Sequence, residues 1–169
     1  MQTYSSSRTL VFASLCAAFS VVFGKLLQIP VGDSVRISFE SLPILFASLI
    51  LGPVWGAATG LVADLVGCFV MAYAINPIVT AGAVAVGFLP ALFVRNASRF
   101  SGVFFPVLIA HAVGNMCIKS LGLYLYFQTP LAFILARVAV SFVLSVLESF
   151  LLYQILSSTH LPLWKGARK

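Results

Sequence analysis

Residues 35–67 read VRISFESLPILFASLILGPVWGAATGLVADLVG, with charge only at Arg36, Glu40 and Asp64. An apolar run, Leu42–Leu51, ends sharply at Gly52–Pro53, and a second begins at Val54. Such a breaker between two apolar runs reads as helix, tight turn, helix. In the second run Gly52, Gly56 and Gly60 fall four apart, with Asp64 next in the series and Gly67 three beyond. Small residues at that spacing let helices approach closely. Asp64 therefore lies against a neighbouring helix, where it either anchors a cation or accepts a ligand's donor.

The pattern extends along the whole chain. Of the 169 residues, 61% are hydrophobic and 8% charged, and the mean hydropathy is +1.09. A soluble domain carries about 25% charged residues, so a water-exposed fold is excluded. Apolar stretches occupy approximately 9–27, 38–51, 54–74, 77–94, 103–127 and 130–156. All but the second approach or exceed the roughly 20 residues needed to cross the hydrocarbon. The expectation is an all-α integral membrane protein: one domain over 1–169, a bundle of six transmembrane helices, the second short or tilted. The run from Thr9 is too long for a signal-peptide core and lacks a small-x-small cleavage site, so it reads as a retained first span. Cys16, Cys68 and Cys117 stand singly inside apolar segments and read as packing residues.

Lysine and arginine positions set the orientation. Arg8, Arg95, Arg99, Lys165, Arg168 and Lys169 lie at the ends or in one short loop. With both termini cytoplasmic, all six fall inside and only Lys25 and Arg36 fall in the outer loops, a positive-inside asymmetry. The net charge of +6 forms no basic stripe, so it speaks for this asymmetry and against nucleic acid. The connection Gln28–Ser41 is the longest and most polar, the pattern of a lid.

Four cations remain. Lys25 and Arg36 flank that connection, and Lys119 and Arg137 lie within apolar stretches, where a cation costs roughly 2.5–3.5 kcal/mol at a helix centre and usually serves a site. In the fifth stretch, HAVGNMCIK places His111, Asn115 and Lys119 four apart, on one face of an α-helix. His111 and Asn115 either satisfy a neighbouring helix or line a site; Lys119 faces a cavity or an acid. In the sixth, Arg137, Ser141, Ser145 and Glu148 form a polar stripe. Arg137 and Glu148 stand about 16 Å apart at 1.5 Å per residue and cannot pair, which leaves Arg137 for Asp64 or a ligand. With the expected orientation all four cations converge on the outer half of the bundle, as an outward-opening pocket for a carboxylated anion requires. Aromatics at that level, Phe39 among them, either stack a planar ring or form the interfacial belt. There is no phosphate-binding glycine loop, no metal-ligand spacing and no nucleophile–base set, so the expectation is no enzyme, no metal and no cofactor in this chain.

The stretch quoted above resembles the substrate-binding S components of energy-coupling factor (ECF) vitamin transporters, and most of all the folate family, through RISF, LPI, GPVWG and ADLVG. Ala13 and Ala17 match that group's AxxxA motif. The resemblance implies a six-helix S component in the prokaryotic plasma membrane, with folate or a related carboxylated vitamin bound beneath the first loop. Pantothenate, then riboflavin, are the alternative vitamins. It further implies a transmembrane coupling subunit touching Ala13 and Ala17, and two cytoplasmic ATPases that use the ATP. The candidate substrate contacts are Lys25, Arg36, Phe39, Asp64, His111, Asn115, Lys119 and Arg137. A small membrane enzyme or structural subunit is the reading from a different class.

Overall fold

A computed structural model describes residues 6–31, 35–94 and 99–159. The order is α1 (Ser6–Val21), a π-helical continuation (Val22–Leu26), β1 (Ile29–Val31), β2 (Val35–Ile37), α2 (Ser41–Leu51) and α3 (Pro53–Val70). Then come α4 (Pro77–Phe93), α5 (Phe100–Ala110), a π-helical stretch (His111–Lys119), α6 (Ser120–Phe127) and α7 (Leu131–Thr159). Helix dominates, and four helical segments are long and apolar enough to cross a membrane: Ser7–Leu26, Pro53–Val70, Phe100–Phe127 and Leu131–Ser158. Ser41–Leu51 and Pro77–Phe93 are shorter apolar helices.

Several boundaries follow from local chemistry. Gly52 has φ 101°, a backbone conformation that side chains disfavour. Pro53 then takes the first helical position of α3, where its missing N–H costs nothing. Asn76 caps α4, its side-chain oxygen accepting from the N–H groups of Ile78 and Val79. The connection after α1, expected as a long polar loop with the pattern of a lid, carries a small antiparallel pair of strands in which Ile29 faces Ile37 and Pro30 faces Arg36. Ile37 therefore belongs to β2, and α2 starts at Ser41 rather than 38.

The core is small side chains and branched aliphatics. Leu45, Leu49, Val103, Val107 and Leu152 are fully buried where α2, α5 and α7 meet. At Gly56 and Gly87 the two backbones come so close that a methyl group on either would collide with the other's carbonyl, so α3 and α4 pack along their glycine faces. Large apolar side chains such as Leu15, Phe69, Phe105, Leu135 and Phe150 point outward, the arrangement of a protein whose solvent is lipid. Ala13 and Ala17, expected at the surface that meets a partner, are 6% and 4% exposed within this chain's own core. One position further along, Ser14 and Ala18 lie on the outside of α1.

Candidate functional site

The two lysines flanking the hairpin end of the bundle each sit in a π-helical turn. Lys25 lies in Val22–Leu26, and Lys119 ends His111–Lys119. The wider i→i+5 turn re-aims side chains, and such segments recur at functional sites. Both lysines point at one carboxylate. Lys119 Nζ donates to Glu40 Oε1 at 3.0 Å, and Lys25 Nζ stands 3.9 Å from Glu40 Oε2. Glu40 lies between β2 and α2, outside the helices, and its backbone oxygen accepts from Ser20 Oγ at 2.6 Å. The Lys119 ammonium holds the Glu40 carboxyl far below the ordinary carboxylate range, at about 2, against desolvation, with Lys25 adding to the effect.

Three glycines on three different segments make room for this triad. A methyl carbon at Gly24 would stand 2.7 Å from Glu40 Cβ, one at Gly67 2.8 Å from Lys25 Cε, and one at Gly82 2.6 Å from Lys119 Cγ. Such distances are too short for real Cβ contacts. Lys25 also lies over the Tyr73 ring, 5.9 Å from its centroid.

A cavity of about 10 Å³ opens among the charges, lined by Ser20, Lys25, Glu40, Asp64 and Lys119 together with Val21, Ile44, Ala63 and Ala83. That is room for about one water. Asp64 Oδ2 accepts from Thr80 Oγ1 at 2.7 Å. No ion pair joins Asp64 to Lys119 or Arg137 among the described residues: the acid that Lys119 meets is Glu40. Arg137 is not among the residues that line this cavity, forms no ion pair with Asp64 among the described residues, and its Nε is buried with no hydrogen-bond partner.

His111 and Asn115 do not line this cavity. His111 Nε2 is 2.8 Å from Glu148 Oε2, and Asn115 Nδ2 reaches His111 Nδ1 at 2.9 Å and Ser41 Oγ at 3.3 Å. His111, Asn115 and Lys119 thus all face inward, in a π rather than an α geometry, but only the first two bond to each other, while Lys119 goes to Glu40. The physical reason is burial: His111 and Glu148 are each 1% exposed, and polar groups so placed must bond to one another. Phe39 lies elsewhere, with Phe23, Leu27, Leu42, Leu151 and Ile155, around an apolar cavity of about 350 Å³. Phe69, Tyr73, Tyr124, Tyr126 and Phe127 are exposed. Arg36 occupies β2, opposite Pro30; its side chain lies outside the described part of the structure.

Sequence reasoning left Glu40, Ser20 and Thr80 out of the site. Glu40 had a signal: it is one of only four acidic residues in the chain, and it stands next to the run that forms α2.

A sequence model described as "ECF transporter, substrate-specific component" matches residues 8–162. The chain belongs to this ECF family. Substrate-specific components are the substrate-binding subunits of membrane transporters rather than enzymes, and they associate with a membrane coupling subunit and ATPases. No curated protein matches significantly. Among solved structures this ECF component is similar to FolT bound with folic acid, at 20% identity, covering 91% of this chain and 97% of that one, with TM-score 0.77. It is also similar to the S component of a bacterial ECF transporter (17% identity, 92% and 97% covered, TM-score 0.68). A third is an S component for biotin (17% identity, 92% and 94% covered, TM-score 0.64). At these identities the likeness establishes the S-component fold.

Proposed function

We propose that this chain is the membrane-embedded, high-affinity binding subunit of an ECF-type importer that takes up folate or a related carboxylated vitamin. The observation that carries the reading is the convergence of Lys25 and Lys119 on one cavity and on Glu40 in its wall. Arg137 adds a buried donor without a partner. Cations drawn into an apolar bundle at this density suit an anionic ligand, since a carboxylate leaving water needs charge-assisted hydrogen bonds. The similarity to FolT, whose structure was solved with folic acid, supports folate.

The similarity to the biotin component supports a second reading, a vitamin with a single carboxylate; pantothenate has that chemistry. Riboflavin, which carries no carboxylate, fits the cations least.

In this reading the six apolar helices form one domain of six spans, with both termini on the cytoplasmic side of a prokaryotic plasma membrane. The hairpin then lies outside. The cavity is far smaller than a vitamin, so side chains of its wall must move aside for binding. The chain hands its substrate to a transmembrane coupling subunit driven by two cytoplasmic ATPases. Purification in lipid nanodiscs, mass spectrometry of copurified small molecules, and titration with folate, biotin, pantothenate and riboflavin test the reading. Nanomolar binding of one of the acids is expected, with riboflavin inert. Binding of riboflavin alone, or of none of the four, would overturn it.

A further inference from the structure

We infer that Glu40 is a built-in stand-in for the substrate's carboxylate, exchanging with it at the ammonium groups of Lys119 and Lys25. The inference rests on the binding site proposed above and assigns its specificity to a residue outside the expected set.

The charges of the cavity wall carry the argument. Lys25, Lys119, Glu40 and Asp64 all line it, two cations and two anions, so with Glu40 in place the wall has no net charge. Both lysines are engaged by the single Glu40 carboxylate, at 3.0 and 3.9 Å. A ligand carboxylate entering beside it would meet a like charge at close range, which disfavours ionisation of both. Withdrawing Glu40 leaves the wall with one excess positive charge and two lysines without their partner. A ligand carboxylate that takes over those donors restores the same balance, whereas a neutral ligand cannot.

The geometry permits that exchange. Lys119 is the fixed member: its side chain is 6% exposed and its stem is packed against Gly82. Glu40 has the outward path, with a side chain 29% exposed. Its backbone is tied to Ser20, so the exchange is a side-chain rotation that leaves the start of α2 in place. Gly24 leaves the space beside Glu40 without a side chain of its own. The cavity holds about one water with Glu40 on its wall, so swinging that side chain out enlarges it beside the two lysines.

The test compares wild type with Glu40→Gln in nanodiscs, titrated with folate, biotin and pantothenate and with their carboxamide analogues. Gln keeps the shape and an acceptor for Lys119 but removes the competing charge. The expected result is acid binding at least about tenfold tighter in Glu40→Gln, within the range of a close charge pair's coupling. The gain should shrink as salt rises, and the carboxamides should gain little. If Glu40 only braces the lysines, acids and carboxamides weaken together in the variant; that result, or unchanged acid affinity, overturns the inference while the binding reading survives. If wild type binds none of the acids but Glu40→Gln binds one, Glu40 blocks the site rather than exchanging with a carboxylate, and both readings fall. If neither binds any, both fall. Should Glu40→Gln fail to fold, Glu40→Asp retains the charge but is one methylene too short for the 3.0 Å bond, and a smaller gain in acid affinity over carboxamide is expected. No gain there counts against the inference equally.

Discussion

Gly82 and Lys119 are in direct contact: a methyl carbon added to the glycine would stand 2.6 Å from the lysine Cγ and 2.8 Å from the carbonyl oxygen of Gly114. The buried ammonium is thus positioned by a missing side chain on a different helix. Gly82→Ala must push α4 away from the π-helical stretch, because part of the obstruction is backbone. A loss of about 1–3 kcal/mol is expected, the usual cost of overpacking, read as a lower thermal midpoint. Gly67→Ala meets mainly the far end of the Lys25 side chain, which can swing aside. Its loss should be clearly smaller, and equal losses would show that Lys25 is held as rigidly as Lys119.

Arg137 separates a site role from a structural one. Its Nε has no partner, so Arg137→Met should leave the thermal midpoint unchanged or higher. Binding of the carboxylated vitamin should fall by roughly 2–5 kcal/mol if the pair with the ligand is buried. Unchanged affinity in a well-folded Arg137→Met protein would remove Arg137 from the site.

The contact between His111 and Glu148 at 2.8 Å ties the π-helical stretch to α7. Replacing either residue with Leu strands a buried polar partner, at about 1–3 kcal/mol. The double replacement should cost less than the two single losses added together. Additive losses in a double-mutant cycle followed by thermal unfolding would mean the pair contributes nothing jointly.

The outer face of α1 can be tested with neighbouring alanines. Ala17→Trp places a large side chain at a position 4% exposed, and it should lower stability sharply. Ala18→Trp, on the exposed side, should leave folding and ligand binding intact while weakening association with the coupling subunit. Normal pull-down of that subunit by Ala18→Trp would place the contact on another face.

Topology is checked by cysteine labelling with Cys16, Cys68 and Cys117 replaced. Asp33→Cys should react with an impermeant reagent from outside, and Ser98→Cys only after permeabilisation. The opposite pattern would bring the hairpin end, and the charged cavity with it, to the cytoplasmic side.

The helical membrane character of the chain was legible in the sequence because lipid leaves little choice. Without water, a spanning backbone must satisfy its own hydrogen bonds, so apolar run length and punctuation such as Gly52–Pro53 place helices directly. That Lys119 would meet an acid or a cavity was legible for a related reason, since a cation in hydrocarbon needs a partner. Which partner it has was not. Spacing within a helix says which residues share a face, but not which residue of another segment faces them. Glu40 lies 79 positions from Lys119, and only packing brings them together. The π geometry of His111–Lys119, the burial of Ala13 and Ala17, and the diversion of His111 to Glu148 likewise depend on how helices rotate against one another. That rotation is set by close contacts such as Gly56 with Gly87 and Gly82 with Lys119, whose effect exists only once the helices meet.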